Sequence, residues 1–135
     1  MTGDRYLLDT NIISALLRHP PDRLLARIAA VEAGALAVSV VAVGELHFGS
    51  AKRQSVRLAQ QIDAILAALE ILPLTSPVAV EYGAIRAGLE ASGRPIGPND
   101  IWLAAHARAL DAILVTANVR EFSRVSGLKI ENWLA

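Results

Sequence analysis

Three carboxylates hold positions where they could do chemistry. Asp9 ends the apolar run of "YLLDTN" (6–11), Glu45 lies inside "SVVAVGELHFG" (39–49), and Asp100 closes the turn-rich "GRPIGPND" (93–100). A fourth polar group follows "LVTAN", where Thr116 and Asn118 sit just past an apolar stretch and Glu121 comes three residues later. Each has an ordinary explanation. Asp9 and Asp100 can cap helices, a role worth about 1 kcal/mol, with Asn99 as a rival for the second cap. Thr116 and Asn118 are common in turns after strands. Glu45 is harder to dismiss. On a helix, at about 100° per residue, it shares a face with Ala42, Leu46 and Gly49. A carboxylate on such a face needs a cation, an arginine or a raised pKa, because burying it unpaired costs several kcal/mol. Gly44 and Gly49 leave room for something to approach it. Taken together, acids that converge repel one another, and a hard divalent cation resolves the repulsion. Mg²⁺ or Mn²⁺ takes oxygen ligands, commonly one or two carboxylates with water and substrate phosphate. Phosphodiester hydrolysis is the reaction that fits.

Other chemistries find little support. The chain has no cysteine, so disulfides and thiolate metal sites are excluded. His19, His47 and His106 form no pair with zinc-ligand spacing on one helical face. No glycine-rich phosphate loop of the GxxxxGK[ST] type occurs.

These residues need a scaffold. At 135 residues and 53% apolar, the chain fits one domain, 1–135, with a real core. Its apolar residues are Ala, Leu, Val and Ile rather than aromatics, which favours helices packed on a small buried sheet. Strands are expected at 5–8, 35–40, within 69–75 and at 112–116, with an edge strand within 128–133. Helices are expected from Asp9, Thr10 or Asn11 through Leu17, over 22–33 with Gly34 as the stop, over 40–52 after a Ser39 cap, over 55–68, from a Ser76 cap with Pro77 at the first helical position to about Ala91, and over 100–110, with a mixed loop and short helix after Ala117. Strands alternating with helices imply an α/β domain with a parallel sheet of four to five strands flanked by helices. In such folds sites gather at the carboxyl ends of strands, where Asp9 and Thr116 to Asn118 both fall.

The 13 basic and 13 acidic residues balance to zero net charge, which argues against nucleic-acid binding by bulk charge alone. Lys52 and Lys129 are the only lysines; the other eleven bases are arginines, whose forked donors suit phosphate and carboxylate. No apolar stretch is long enough to span a membrane. "MTGDRYLLD" lacks a signal-peptide layout, so a cytoplasmic location is expected.

The chain resembles the PIN-domain ribonucleases and, within them, the VapC-type toxins of bacterial toxin–antitoxin pairs. The carriers are "YLLDTNIISALL", "SVVAVGELHFG", "GRPIGPNDIWLAAHARAL" and "ILVTANVREFSRVSGLKIENW", four motifs in order over nearly the whole chain. The resemblance implies a Rossmann-like sheet with a metal site at one edge, Asp9, Glu45 and Asp100 holding one or two Mg²⁺ ions, with Mn²⁺ able to substitute. Asp9 and Asp100 are then direct ligands, and Glu45 holds a metal-bound water or acts as general base. Thr10, Asn11 and Thr116 orient carboxylates or phosphate. Many relatives carry a fourth acid where this chain has Asn118, so Asn118 is read as a neutral ligand or water-positioner and Glu121 as the possible fourth acid. Arg86, Arg94, Arg108 and Arg120 are candidate phosphate contacts. The implied activity is endoribonuclease cleavage of tRNA or another structured RNA by activated water. The implied partners are a VapB-type antitoxin that fills the active-site groove, with the apolar helices of 40–70 as receiving surface, and a second copy of the chain. Two alternatives are a catalytically inactive PIN-like binding module, suggested by Asn118, and another Mg²⁺-dependent phosphotransfer domain. "DTN" lacks the second acid that the phosphatase form of the latter needs.

Overall fold

The structure, a computed structural model, describes residues 3–135. Strand β1 (Tyr6–Leu8) lies at the centre of a five-stranded sheet, with β2 (Leu36–Ser39), β3 (Glu70–Leu72), β4 (Ile113–Val115) and β5 (Lys129–Glu131) in the order β3-β2-β1-β4-β5. Every pairing is parallel. Parallel neighbours cannot be joined by a tight hairpin and need a crossover. Helices α1 (Thr10–Leu16), α2 (Asp22–Ala30), α3 (Val40–Arg53), α4 (Val56–Leu66), α5 (Ser76–Ala91), α6 (Pro98–Ala109) and α7 (Val119–Phe122) supply those connections.

Successive strand residues point to opposite faces. All of β2 and β4, and Leu7 and Leu8 of β1, are buried, so the central strands are covered on both sides. That is why they read as continuous apolar runs rather than alternating ones. The edge strands β3 and β5 are only partly covered, and β5 carries Lys129 and Glu131.

Local differences from the expected elements have simple causes. Helix α6 begins at Pro98, not Asp100, with Gly97 as the capping residue. Asp100 is therefore in the first turn rather than at the cap, and Asn99 is inside the helix. The fixed φ of proline suits a first helical position, which moves the start two residues upstream. In α5 the capping residue is Thr75, so Ser76 is the first helical residue and Pro77 the second. Helix α2 ends at Ala30, and Gly34 sits in a short 3₁₀ turn over Ala33–Ala35. Ser39 does cap α3, its Oγ accepting from Val41 N at 3.1 Å. Phe48, in the apolar neighbourhood of Glu45, points outward and is 66% exposed.

Buried polar contacts tie the helices to the sheet. His106 on α6 is fully enclosed, and its Nδ1 lies 2.8 Å from the Oγ of Ser39, joining α6 to the start of α3. Burial, and secondarily the positive charge of Arg5, lower its pKa, which keeps the ring neutral there. At the far side Tyr6 packs against Trp133, with ring centroids 5.1 Å apart.

Candidate functional site

The strand order brings β1 and β4 side by side, so residues after Leu8 and after Val115 emerge at the same sheet edge. Asp9 is only 5% exposed. Its backbone N–H donates to Val115 O, continuing the ladder. Its side chain caps α1: Thr10 N–H donates to Oδ1 at 2.7 Å. Oδ2 accepts from Thr116 Oγ1 at 2.8 Å and from Asn11 Nδ2 at 3.2 Å. Oδ1 thus keeps a free lone pair. Asp9 caps the helix and can still offer an oxygen to something in the cleft.

The same few polar groups lock the facing loop. Asn11 Oδ1 accepts from Ala117 N–H at 3.1 Å, and Thr116 Oγ1 accepts from Asn118 N–H at 2.9 Å. Asn118 Nδ2 donates to Glu121 Oε2 at 3.2 Å. On the opposite wall Thr10 Oγ1 donates to Glu45 Oε1 at 3.0 Å, joining α1 to α3. Changing Thr10 to valine keeps the shape and removes this donor. We expect a fall in activity of about 10- to 100-fold with a stability change of no more than about 1 kcal/mol, while Thr10→Ser keeps both. Steady-state cleavage rates and melting curves decide it; a fully active valine variant would mean that the bond has no functional part.

Asp9, Thr10, Asn11, Glu45, Asp100 and Asn118 line one cleft of about 640 Å³ together with Ser14, Ala15, Arg18 and His19. Glu121 stands behind Asn118 and outside the lining, but it reaches Asp100. Asp100 is half-buried and its pKa is pushed up to about 6. Desolvation is the main cause, followed by the charges of Asp9, Glu121 and Glu45; a hydrogen bond that Asp100 can make to Glu121 only as the neutral acid adds to it. Asp9 is raised too, chiefly by burial, against the opposing hydrogen bonds from Thr116 and Thr10.

A divalent cation fits this donor set. Among the described residues none of the four acids has an arginine or lysine in ion-pair contact, so their mutual repulsion is uncompensated by the chain itself. Among the same residues no three acids stand close enough to enclose an ion without help. A cation bound here would therefore take its remaining ligands from water and substrate oxygens.

The structure therefore brings together Asp9, Thr10, Asn11, Glu45, Asp100, Thr116, Asn118 and Glu121. It does not add the expected arginines to the cleft lining. Arg86 is exposed on α5, bonded to Glu90 Oε2 at 2.9 Å and Tyr82 Oη at 3.1 Å. Arg108 is engaged with Glu81 Oε1 and the Ser126 carbonyl, each at 2.9 Å. Arg94 and Arg120 are exposed on the loop before α6 and on α7, outside the lining. Arg18 and His19 were missed. Arg18 had a signal: Thr10, Ser14 and Arg18 follow one another at intervals of four, a single helical stripe.

Comparison with known proteins agrees with this geometry. The PIN domain model matches residues 6–128. Ribonuclease VapC2 of Haemophilus influenzae is 40% identical over 131 residues, covering 96% of this chain and 98% of that one. The tRNA(fMet)-specific endonuclease VapC of Shigella flexneri is 36% identical over 130 residues, with coverage of 96% and 98%. Among solved structures, DNA-bound VapBC from Salmonella typhimurium superposes with a TM-score of 0.88 at 30% identity, covering 97% of this chain and 99% of that one. A full-length match at these identities, on a parallel sheet whose edge gathers four acids, makes this chain a member of the PIN-domain family and, within it, of the VapC ribonucleases.

Proposed function

We propose that this chain is the toxin of a VapBC-type pair, an endoribonuclease that hydrolyses RNA phosphodiester bonds and is held inactive by a VapB-type antitoxin. The observation that carries the reading is the uncompensated group of Asp9, Glu45, Asp100 and Glu121 at one sheet edge, with the pKa of Asp100 raised to about 6 by burial and by the other three. PIN-domain ribonucleases depend in general on a divalent metal; for this chain Mg²⁺ is the proposed ion, with Mn²⁺ able to replace it. When bound, it would polarise the scissile phosphate, neutralise developing charge and lower the pKa of water.

The chain's own residues do the rest. Asp9 and Asp100 hold the cation. Glu45, oriented by Thr10, takes the proton from the attacking water. Thr116 and Asn11 fix the carboxylate of Asp9. Asn118 tethers Glu121, which supplies the fourth acid in place of the one absent at position 118. Attack of water on phosphorus with departure of the 3′ oxygen leaves a 5′-phosphate and a 3′-hydroxyl. A tRNA substrate is proposed because two relatives are named for tRNA(fMet), and an antitoxin partner because similar solved structures are of VapBC. The work is proposed to take place in the cytoplasm, with the chain as a homodimer or in complex with its antitoxin.

The purified chain is expected to cut bacterial tRNA in Mg²⁺ or Mn²⁺, to stop in chelator, and to yield ends that a 5′-phosphate-dependent exonuclease degrades. Asp9→Asn is expected to be inactive with its fold intact. No cleavage by the unchanged chain in either metal would overturn the nuclease reading; an active Asp9→Asn variant would overturn the site.

A further inference from the structure

Beside the acidic cleft runs a second groove of about 740 Å³, and the two share Thr10, Ser14, Arg18 and Glu45, so they are continuous. Two of its walls carry matching stripes, and Leu17, Leu46, Leu58 and Ile62 give it an apolar floor. Thr10, Ser14 and Arg18 run along α1 and just past its end, while Glu45, Gly49 and Arg53 run along α3. Both have the i, i+4, i+8 spacing that keeps residues on one helical face. The stripes touch at the acid end through the Thr10–Glu45 hydrogen bond. Along α3 the stripe runs about 12 Å from Glu45 to Arg53, eight residues at 1.5 Å each, and Arg18, just past the end of α1, lines the same groove. Helix α3 stops at Gln54 in the left-handed conformation (φ 52°), so the chain turns directly into α4 and adds Arg57 to the same groove.

Arg18, Arg53 and Arg57 are exposed and, among the described residues, have no ion-pair partner, whereas Arg5, Arg27, Arg86 and Arg108 are each paired with an acid. Arg57 also lies in the first turn of α4, where positive charge opposes the helix dipole. At Gly49 a β-carbon would meet no atom within 4 Å, so the groove is open at its midpoint. In a chain of zero net charge, this is a local positive track leading away from a negative site.

We propose that this groove is the path of the RNA strand beyond the scissile phosphate, with Arg18, Arg53 and Arg57 binding backbone phosphates. The inference rests on the nuclease reading and names where its substrate lies. Zero net charge then has a physical meaning: affinity comes from a few aligned arginines, so the slope of log K against log [salt] is small and set by the few phosphates they contact. These arginines bind in ground and transition states alike and act on KM rather than kcat.

The test measures binding of unfractionated bacterial tRNA to full-length Asp9→Asn protein in chelator, over a range of salt. Adding Arg53→Gln and Arg57→Gln is expected to lower the slope of log K against log [salt] by about 2, one for each lost phosphate contact. Adding Arg86→Gln and Arg94→Gln instead is expected to leave it unchanged. In the active chain the groove pair should raise KM by about tenfold or more and leave kcat within about twofold. Gly49→Leu, which fills the groove without backbone strain, should raise KM likewise. An unchanged slope and KM in both groove variants would overturn the proposal, as would loss of slope in the Arg86/Arg94 pair. So would groove variants that lose affinity for an antitoxin peptide alone, since the groove would then be a protein site. In each of these cases the chain still cuts RNA, so the nuclease reading stands; its own failure would show as no cleavage at all.

Discussion

Asp100→Asn is expected to abolish RNA cleavage and, in the metal-free protein at pH 7, to raise the melting temperature. With Asp100 as the proposed cation ligand, its loss removes several kcal/mol of transition-state stabilisation, a fall of about 10²- to 10⁴-fold. The gain in stability has the same origin. In the folded chain the pKa of Asp100 is about 6, against 3.8 for the free group. Below pH 3.8 both the folded and the unfolded chain hold the proton, and the group makes no difference. Between 3.8 and about 6 the folded chain keeps a proton that the unfolded chain has lost, so stability falls as pH rises. Above 6 the whole penalty is present. Each pKa unit corresponds to about 1.4 kcal/mol, but Asp100 is half exposed and solvent screens much of it, which leaves about 1–2 kcal/mol, or about 3–8 °C. Asparagine removes that repulsion. The advantage of the variant should shrink as pH is lowered from 7 to 4, and Mg²⁺ should stabilise the unchanged chain more than the variant. Thermal melts at pH 4, 5.5 and 7, with and without Mg²⁺, read all three effects. A variant less stable than the parent at pH 7 without metal would contradict this account of the acid cluster.

Phe122→Ala is the second large effect. Phe122 is fully buried and ends α7, a helix of four residues. A helix that short has no stability of its own, so the packing of this ring holds it in place. Truncating a buried phenylalanine costs about 3–5 kcal/mol, a third or more of what a domain of this kind has to spare. The neighbours that suffer first are Glu121, which α7 presents to Asp100, and Asn118, which bonds to Glu121. Urea denaturation should show the loss, and faster amide hydrogen exchange over residues 118–123 should appear even where the rest of the chain is folded. Phe122→Leu, which refills most of the space, should cost about 1–2 kcal/mol and keep activity. A loss below about 1 kcal/mol for the alanine variant would show that α7 is held by something else.

Much of the architecture is legible in the sequence because parallel strands buried on both faces read as short apolar runs between helical patterns. The capping of α3 by Ser39 could be read from a single residue, whereas Asp9, Thr10 and Asn11 all suited the cap of α1 and the structure selects Asp9. The start of α6 could not, because asparagine and aspartate both suit a cap and only the turn at Gly97–Pro98 decides between them. The polar contacts of the site were legible as residue types but not as partners. Thr116 meets Asp9 across 107 positions of chain, and no local spacing encodes that. The arginines show the same divide. The Arg86–Glu90 pair is an i, i+4 contact that could be read directly, while Arg108 is taken up by Glu81 on another helix. Free arginines are known only after the bonded ones are subtracted, which takes the tertiary structure.

The central position of β1 has a consequence for how the chain is made. Its first strand pairs on one side with residues 113–115, and the carboxylate of Asp9 is gripped by Thr116. A nascent chain of ninety residues contains Asp9 and Glu45 but lacks Asp100, Thr116 and Glu121. At about 5–20 residues per second, the remaining stretch takes seconds to emerge, and pairing across so long a loop is slow. The ribosome that builds this protein is therefore not exposed to the assembled group of acids until residues 100–121 have left it.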